Sequence, residues 1–250
     1  DNLITYLVAQ IYFDNWDWPG NNIKFWNSPS TKWRWILYDT DFAFGAWNDA
    51  AYNKDTLSFA LEENGPGWPN PPWSTLLFRK LMENSQFRNQ FINQFADEFN
   101  GRFKPDSVTQ HINSIITRMG PEMDRHFQRW GEGQTVDVWQ SAVNGLKSFG
   151  DNRLPFLKSY FRNYFGISGM YQLNIAINNT TAGSVELNSL QLTSASWQGE
   201  YFDNIPVSLT AVPNEGYVFS HWQGDIDNPN NSIELNRSSN TSLEAVFIRD

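Results

Sequence analysis

Apolar residues recur at helical spacing over roughly the first two thirds of the chain and alternate over the last third. Leu3, Ile4, Leu7, Val8 and Ile11 form a stripe behind Asn2, a residue type suited to cap a helix start. Ile23–Asn27 and Trp33–Tyr38 read as two extended runs joined by Ser28-Pro29-Ser30-Thr31, a hairpin. Residues 48–73 are rich in Asn, Gly, Pro and Trp and read as a long loop. Ser74 then opens a helix to Met82, and Ser85 opens one to Phe99, closed by Asn100-Gly101. Ser107 opens a third carrying Val108, Ile112, Ile115, Ile116 and Met119, and Pro121 suits the first position of a fourth, ending near Gly131. Two more helices are predicted over 137–148 and 152–165. The Phe and Ile positions of all these stripes read as core.

The texture changes at Gly166-Ile167-Ser168-Gly169. Beyond it Tyr171, Leu173, Ile175 and Ile177 alternate, then Val185 and Leu187, with turn signals at 178–179, 213–216 and 227–231. The expectation is an α+β protein in two domains: residues 1–166, mostly helical with a small hairpin sheet, and residues 170–250, a small all-β module.

Charge sharpens this division. The net charge is −9 over 250 residues. Residues 170–250 hold Arg237 and Arg249 against nine acidic residues, a balance of −7, which leaves −2 for residues 1–169. Such a balance disfavours a nucleic-acid partner. Without cysteine there is no disulfide, zinc–thiolate site or thiol nucleophile. His111, His126 and His221 lie too far apart in sequence to suggest a histidine metal site. No apolar run is long enough to span a bilayer. The 12 Trp and 28 Asn suit a secreted or surface bacterial protein.

The most informative segment runs from Ile11 to Phe25: a helix end, a polar loop with Asp17, then Asn22 five residues on, then a strand. At the end of the following strand come Asp39 and Asp41, then Phe42 and Gly45. The order Asp-x4-Asn, hairpin, Asp pair, Phe and Gly is the metal-and-base layout of protein-kinase phosphoryl transfer. That chemistry needs hard oxygen donors to hold Mg²⁺ against phosphates and a carboxylate beside the attacking hydroxyl. Each residue also has a plainer reading. Asp17 beside Pro19-Gly20 is a turn former, Asn22 is a partner for its own loop, and Asp39 and Asp41 fit an Asx turn.

Tyr6-Leu-Val-Ala-Gln-Ile-Tyr-Phe13, Asp17-Trp-Pro-Gly-Asn-Asn22, Lys32-Trp-Arg-Trp-Ile-Leu-Tyr-Asp-Thr-Asp41, Phe42-Ala-Phe-Gly45 and Pro121-Glu-Met-Asp-Arg-His-Phe-Gln-Arg-Trp130 closely resemble the spore-coat protein H (CotH) kinase family over roughly residues 1–165. The resemblance implies the C-terminal lobe of a secreted atypical kinase using ATP with Mg or Mn. Its acceptor would be Ser or Thr of an extracellular or coat protein. Carried over, Asp17 is the catalytic carboxylate, Asn22 and Asp41 are metal ligands, and Asp39 is the second carboxylate of the pair. The family's phosphate-covering loop and its lysine have no counterpart here: no glycine-rich loop occurs, and Lys24 and Lys32 follow the catalytic loop. The expectation is therefore a fragment that phosphorylates nothing alone. Gly183-Ser-Val-Glu-Leu187, Val207–Pro213, Gly216–Asp225 and Leu243–Phe247 resemble the divergent InlB B-repeat of bacterial surface proteins, which implies an extracellular address.

The rival reading is a non-catalytic surface protein that binds glycans, such as those of the cell wall, or partner proteins through exposed Trp. Trp16, Trp18 and Trp26 lie beside the candidate site, and Trp68 and Trp73 in the Pro-rich loop. Trp33 and Trp35 read as hairpin packing, His126 as a helix-surface residue, and Tyr217, Phe219 and Trp222 as module core. Asp225-Ile-Asp-Asn-Pro-Asn230 lacks the Gly and closing Glu of a calcium loop and reads as a turn. A glycoside hydrolase fits least, because Asp39 and Asp41 share one strand end whereas such acids face each other across a sugar.

Overall fold

A computed structural model describes residues 2–46, 48, 50–65, 67, 70–131 and 133–250. They cluster into two compact units: Asp1–Glu83 with Gly101–Phe161, and Asn84–Asn100 with Arg162–Asp250.

In the first unit α1 (Asn2–Phe13) buries Ile4, Leu7, Val8 and Ile11, as its stripe requires. The helix includes Asn2, whose side chain does not act as the expected cap. Its amide donates to Trp35 O at 3.4 Å and its Oδ1 accepts from Trp35 N at 2.6 Å. That pair pins the hairpin of β1 (Lys24–Trp26) and β2 (Arg34–Ile36), shorter than expected, with Phe25 opposite Trp35. The loop expected at 48–73 contains a 3₁₀ turn at Ala51–Asn53 and α2 (Thr56–Ala60), capped by Asp55 accepting from Ser58 N at 3.0 Å. A second 3₁₀ turn, Pro72–Thr75, leads into α3 (Leu76–Met82), so Ser74 lies inside that turn and caps nothing.

Two long helices replace four expected ones. α5 (Pro105–Trp130) passes through Pro121, and α6 (Val136–Phe165) passes through Pro155. An internal Pro removes one hydrogen bond and costs about 3 kcal/mol. Apolar positions keep helical phase across both prolines, Val108, Ile112, Ile115, Met119 and Met123 on α5 and Val143, Leu154, Leu157 and Phe161 on α6, but Ile115 and Met119, on a stripe expected in the core, are exposed. Gly150 lets α6 approach α5, since a Cβ there would lie 2.7 Å from Val108 Cγ1. Tyr12 stacks on Phe103 at 3.7 Å between ring centres, and Phe44 and Phe149 pack against the same ring.

The second unit holds eight strands and one helix. The strands are β3 (Met170–Ile177), β4 (Gly183–Leu187), β5 (Leu190–Leu192), β6 (Ser196–Phe202), β7 (Val207–Pro213), β8 (Tyr217–Gly224), β9 (Ser232–Leu235) and β10 (Thr241–Arg249). They form two four-stranded sheets ordered β6-β3-β10-β8 and β5-β4-β7-β9. Every pairing is antiparallel except β10 with β3. Leu173, Ile175, Val185, Leu209, Trp222 and Ala245 are buried, with the indole of Trp222 donating to Asn230 O at 3.1 Å. Tyr217 and Phe219, expected in this core, are half-buried.

α4 (Ser85–Phe99) belongs to this unit. Its cap is Asn84, accepting from Phe87 N at 2.9 Å, one residue before the expected Ser85. Asp97 is buried and accepts from Ser189 N (3.0 Å), Ser189 Oγ (2.6 Å), Asn188 Nδ2 (3.2 Å) and Tyr201 Oη (2.7 Å). Burial outweighs these donors and raises its proton affinity above that of an ordinary Asp. Asn100 exchanges two 2.9 Å hydrogen bonds with the Glu200 backbone, as a strand neighbour would.

Candidate functional site

The site is built where α1 ends. Asp14 N bonds Ile11 O, and Asp14 itself is left-handed (φ 53°), so the chain leaves the helix there and enters the loop carrying Asp17. Asn70, buried, donates to Trp16 O at 3.2 Å and accepts from Gly20 N, holding the loop from beneath. Asp17 accepts from Asn22 Nδ2 at 2.7 Å and from Asn21 Nδ2 at 3.0 and 3.1 Å. Asn22 is left-handed (φ 52°), a conformation Asn tolerates better than most residues, and that turn directs its amide back to Asp17.

Asp39 and Asp41 follow β2. Asp39 is also left-handed (φ 53°). Its carboxyl is raised above the usual carboxylate range, first by the interaction with Asp41, then by desolvation and by the charges of Asp41 and Asp17, with Lys24 acting the other way. Asn22 thus bonds Asp17, and the electrostatic influence of Asp17 and Asp41 reaches Asp39. Phe44 and Gly45 are both left-handed (φ 54° and 73°), and Phe44 N donates to Phe13 O at 2.8 Å, tying the turn after Asp41 to the end of α1.

Among the described residues no group of three or more His, Cys, Asp and Glu is arranged to hold a metal ion. A cation here would rely on Asp39 and Asp41 plus an amide oxygen. Asn22 commits its Nδ2 to Asp17, which leaves Oδ1 as a hard donor. The carboxylates of Asp39 and Asp41, with Lys24 the cation acting on Asp39, are hard oxygen donors of the kind that suits Mg²⁺ or Mn²⁺.

A predominantly apolar cavity of about 860 Å³ adjoins the loop. Asn21 and Asn22 form part of its rim, with Phe25, Trp33, Trp35 and Trp73 among its walls. Trp33 and Trp35 pack on Phe25 across the hairpin, ring centres 5.4 and 5.7 Å apart, as expected, while Trp33 stays 53% exposed and Trp73 is 62% exposed. Trp18 is buried and Trp26 exposed, while Trp68 lies outside the described residues. His126 is exposed on α5. At 225–230 the expected turn is present, with Asp225 accepting from Ser242 N and Asn228 Oδ1 from Asn230 N.

The sequence reading missed Asn21, Asn70, Asp14 and Arg153. Arg153 carried a signal, because it sits on the apolar stripe of α6 between Gly150 and Leu157, where a cation is out of place. Asn70 carried none, since its role depends on a contact 50 residues away.

A mostly helical part up to Gly166 is followed by an all-β part. The family model CotH kinase protein matches residues 1–157 and the Divergent InlB B-repeat domain matches residues 173–250. The chain belongs to the CotH kinase protein family. No curated protein and no solved structure matches it.

Proposed function

We propose that the protein takes part in metal-dependent transfer of the ATP γ-phosphoryl group to Ser or Thr hydroxyls of an extracellular or coat protein. The observation that carries this reading is the Asn22–Asp17 hydrogen bond at the end of α1, followed in order by the exposed Asp39 and Asp41, in a CotH-family domain. Asp17 accepts only from neutral amides, so it remains a hydrogen-bond acceptor able to orient a hydroxyl and take its proton. Asn22, Asp41 and Asp39 would hold Mg²⁺ or Mn²⁺, which when bound neutralises phosphate charge. The InlB-type module supports a site of action on the outer cell surface or coat.

The test is ³²P transfer from ATP with Mg²⁺ or Mn²⁺. It compares the 250-residue protein, a version extended upstream to supply a phosphate loop, and Asp17→Ala and Asp41→Ala in each. Transfer abolished by either substitution supports the reading. Neither nucleotide binding nor transfer in any version overturns it. The exposed Trp33 and Trp73 beside the cavity favour a second reading, a surface protein binding glycan or a partner protein. A glycan array with Trp33→Ala and Trp73→Ala tests it.

A further inference from the structure

Arg153 lies at the middle of α6, fully buried, 141 residues from the helix end it contacts. Its Nε donates to Tyr12 O at 3.1 Å, and Nη2 donates to Ile11 O and Thr56 Oγ1, each at 2.9 Å. Its Nη1 donates to Tyr52 O at 2.9 Å and Lys54 O at 2.7 Å, with a longer 3.4 Å contact to Ala51 O. All five N–H groups of the guanidinium are engaged, one of them shared. Thr56 passes the link on, donating to Asp14 Oδ1 at 2.5 Å, and Asp14 is itself buried, with Lys54 Nζ 3.7 Å away.

These bonds join two stretches of chain. Ile11, Tyr12 and Asp14 lead directly into the loop bearing Asp17 and Asn22. Residues 51–56 continue the segment that leaves Asp39 and Asp41 through Phe44 and Gly45. The last carbonyls of α1 have no partners within the helix, and Arg153 supplies two of them while fastening the second stretch to the same point. Its guanidinium also lies over Phe149, which packs against Phe44. Charge alone does not explain this arrangement: one carboxylate would balance it, whereas five of its six contacts are backbone carbonyls spaced to fit a planar fork.

We infer that Arg153 is a positioning residue for the site, setting the Asp17–Asn22 loop against the Asp39–Asp41 turn by tying the end of α1 to residues 51–56. Its consequence for metal binding rests on the phosphoryl-transfer reading, but its effect on the two segments does not.

The experiment uses Arg153→Lys, which keeps the charge and loses the fork, and Thr56→Val, a near-isosteric change that cuts the link to Asp14 and is expected to fold even where Arg153→Lys does not. Hydrogen exchange and Mn²⁺ titration are measured on each variant that melts cooperatively. Amide exchange in 14–22 and 42–46 is expected to accelerate at least tenfold, with the β-strands unchanged and Mn²⁺ affinity reduced at least tenfold. Unchanged exchange in both segments, or acceleration spread evenly over all the helices, overturns the inference. So does unchanged Mn²⁺ affinity when the wild-type protein binds the ion. Failure of the wild type to bind Mn²⁺, or full binding by Asp41→Asn, counts against the phosphoryl-transfer reading, and the exchange pattern still decides the role of Arg153.

Discussion

The side-chain amide of Asn22 donates to Asp17 Oδ2 across 2.7 Å, so the two residues are fixed by each other and by the left-handed turn at Asn22. The bond orients Asp17 as an acceptor and turns the amide oxygen of Asn22 outward. Asn22→Ala is expected to weaken Mn²⁺ binding by about 10–100-fold, the range seen when a group orienting a metal ligand is lost. Asn22→Asp, which keeps an oxygen donor and loses the hydrogen bond, should fall between. Mn²⁺ titration of the three proteins checks the order.

Asp41→Ala removes the carboxylate that raises the proton affinity of Asp39. The expected outcome is loss of measurable Mn²⁺ binding with an unchanged melting temperature, because the pair is exposed and supports no core. A fall in melting temperature comparable to a core substitution would contradict this placement.

Asp97 carries the pH dependence of the β-strand unit. Its proton affinity is raised in the folded state by burial. A carboxyl shifted upward binds its proton more tightly when folded, so its contribution is fully present below the ordinary carboxylate pKa and is lost as pH rises through the raised value. Acidification from neutral pH should therefore stabilise this unit, and Asp97→Asn should flatten the dependence. Asp97→Ala strands the donors of Ser189 and Tyr201, at about 1–3 kcal/mol for each buried donor. Melting curves between pH 7 and pH 4, followed by hydrogen exchange in β4 and β6, resolve this unit from the buried Asp14 of the other.

Trp222 is completely buried and bonded to Asn230. Trp222→Ala should cost about 3–5 kcal/mol, the transfer and cavity terms together. Gly183→Ala should also destabilise the module, since its Cβ would meet the Phe247 ring at 2.5 Å. Overpacking of this kind costs about 1–3 kcal/mol. Urea denaturation of the two variants gives the comparison.

The sequence by itself determined the first helix, the hairpin, the change from helical to alternating spacing near Gly166, and the candidates Asp17, Asn22, Asp39 and Asp41. Each of these is written within a few residues: a periodic stripe, a turn-forming pair, a spacing of five. The tertiary structure decided what local patterns do not carry. A single Pro reads locally as a boundary, yet α5 and α6 continue through theirs. The periodicity of α4 shows an apolar face, but its place beside β6 follows from Asp97 and Asn100 meeting strands about 90–100 residues later in the chain. Arg153 marks the same limit at the site. Its side chain joins carbonyls about 100 and 140 residues distant, and hydrogen bonds of that range exist only once the chain has folded.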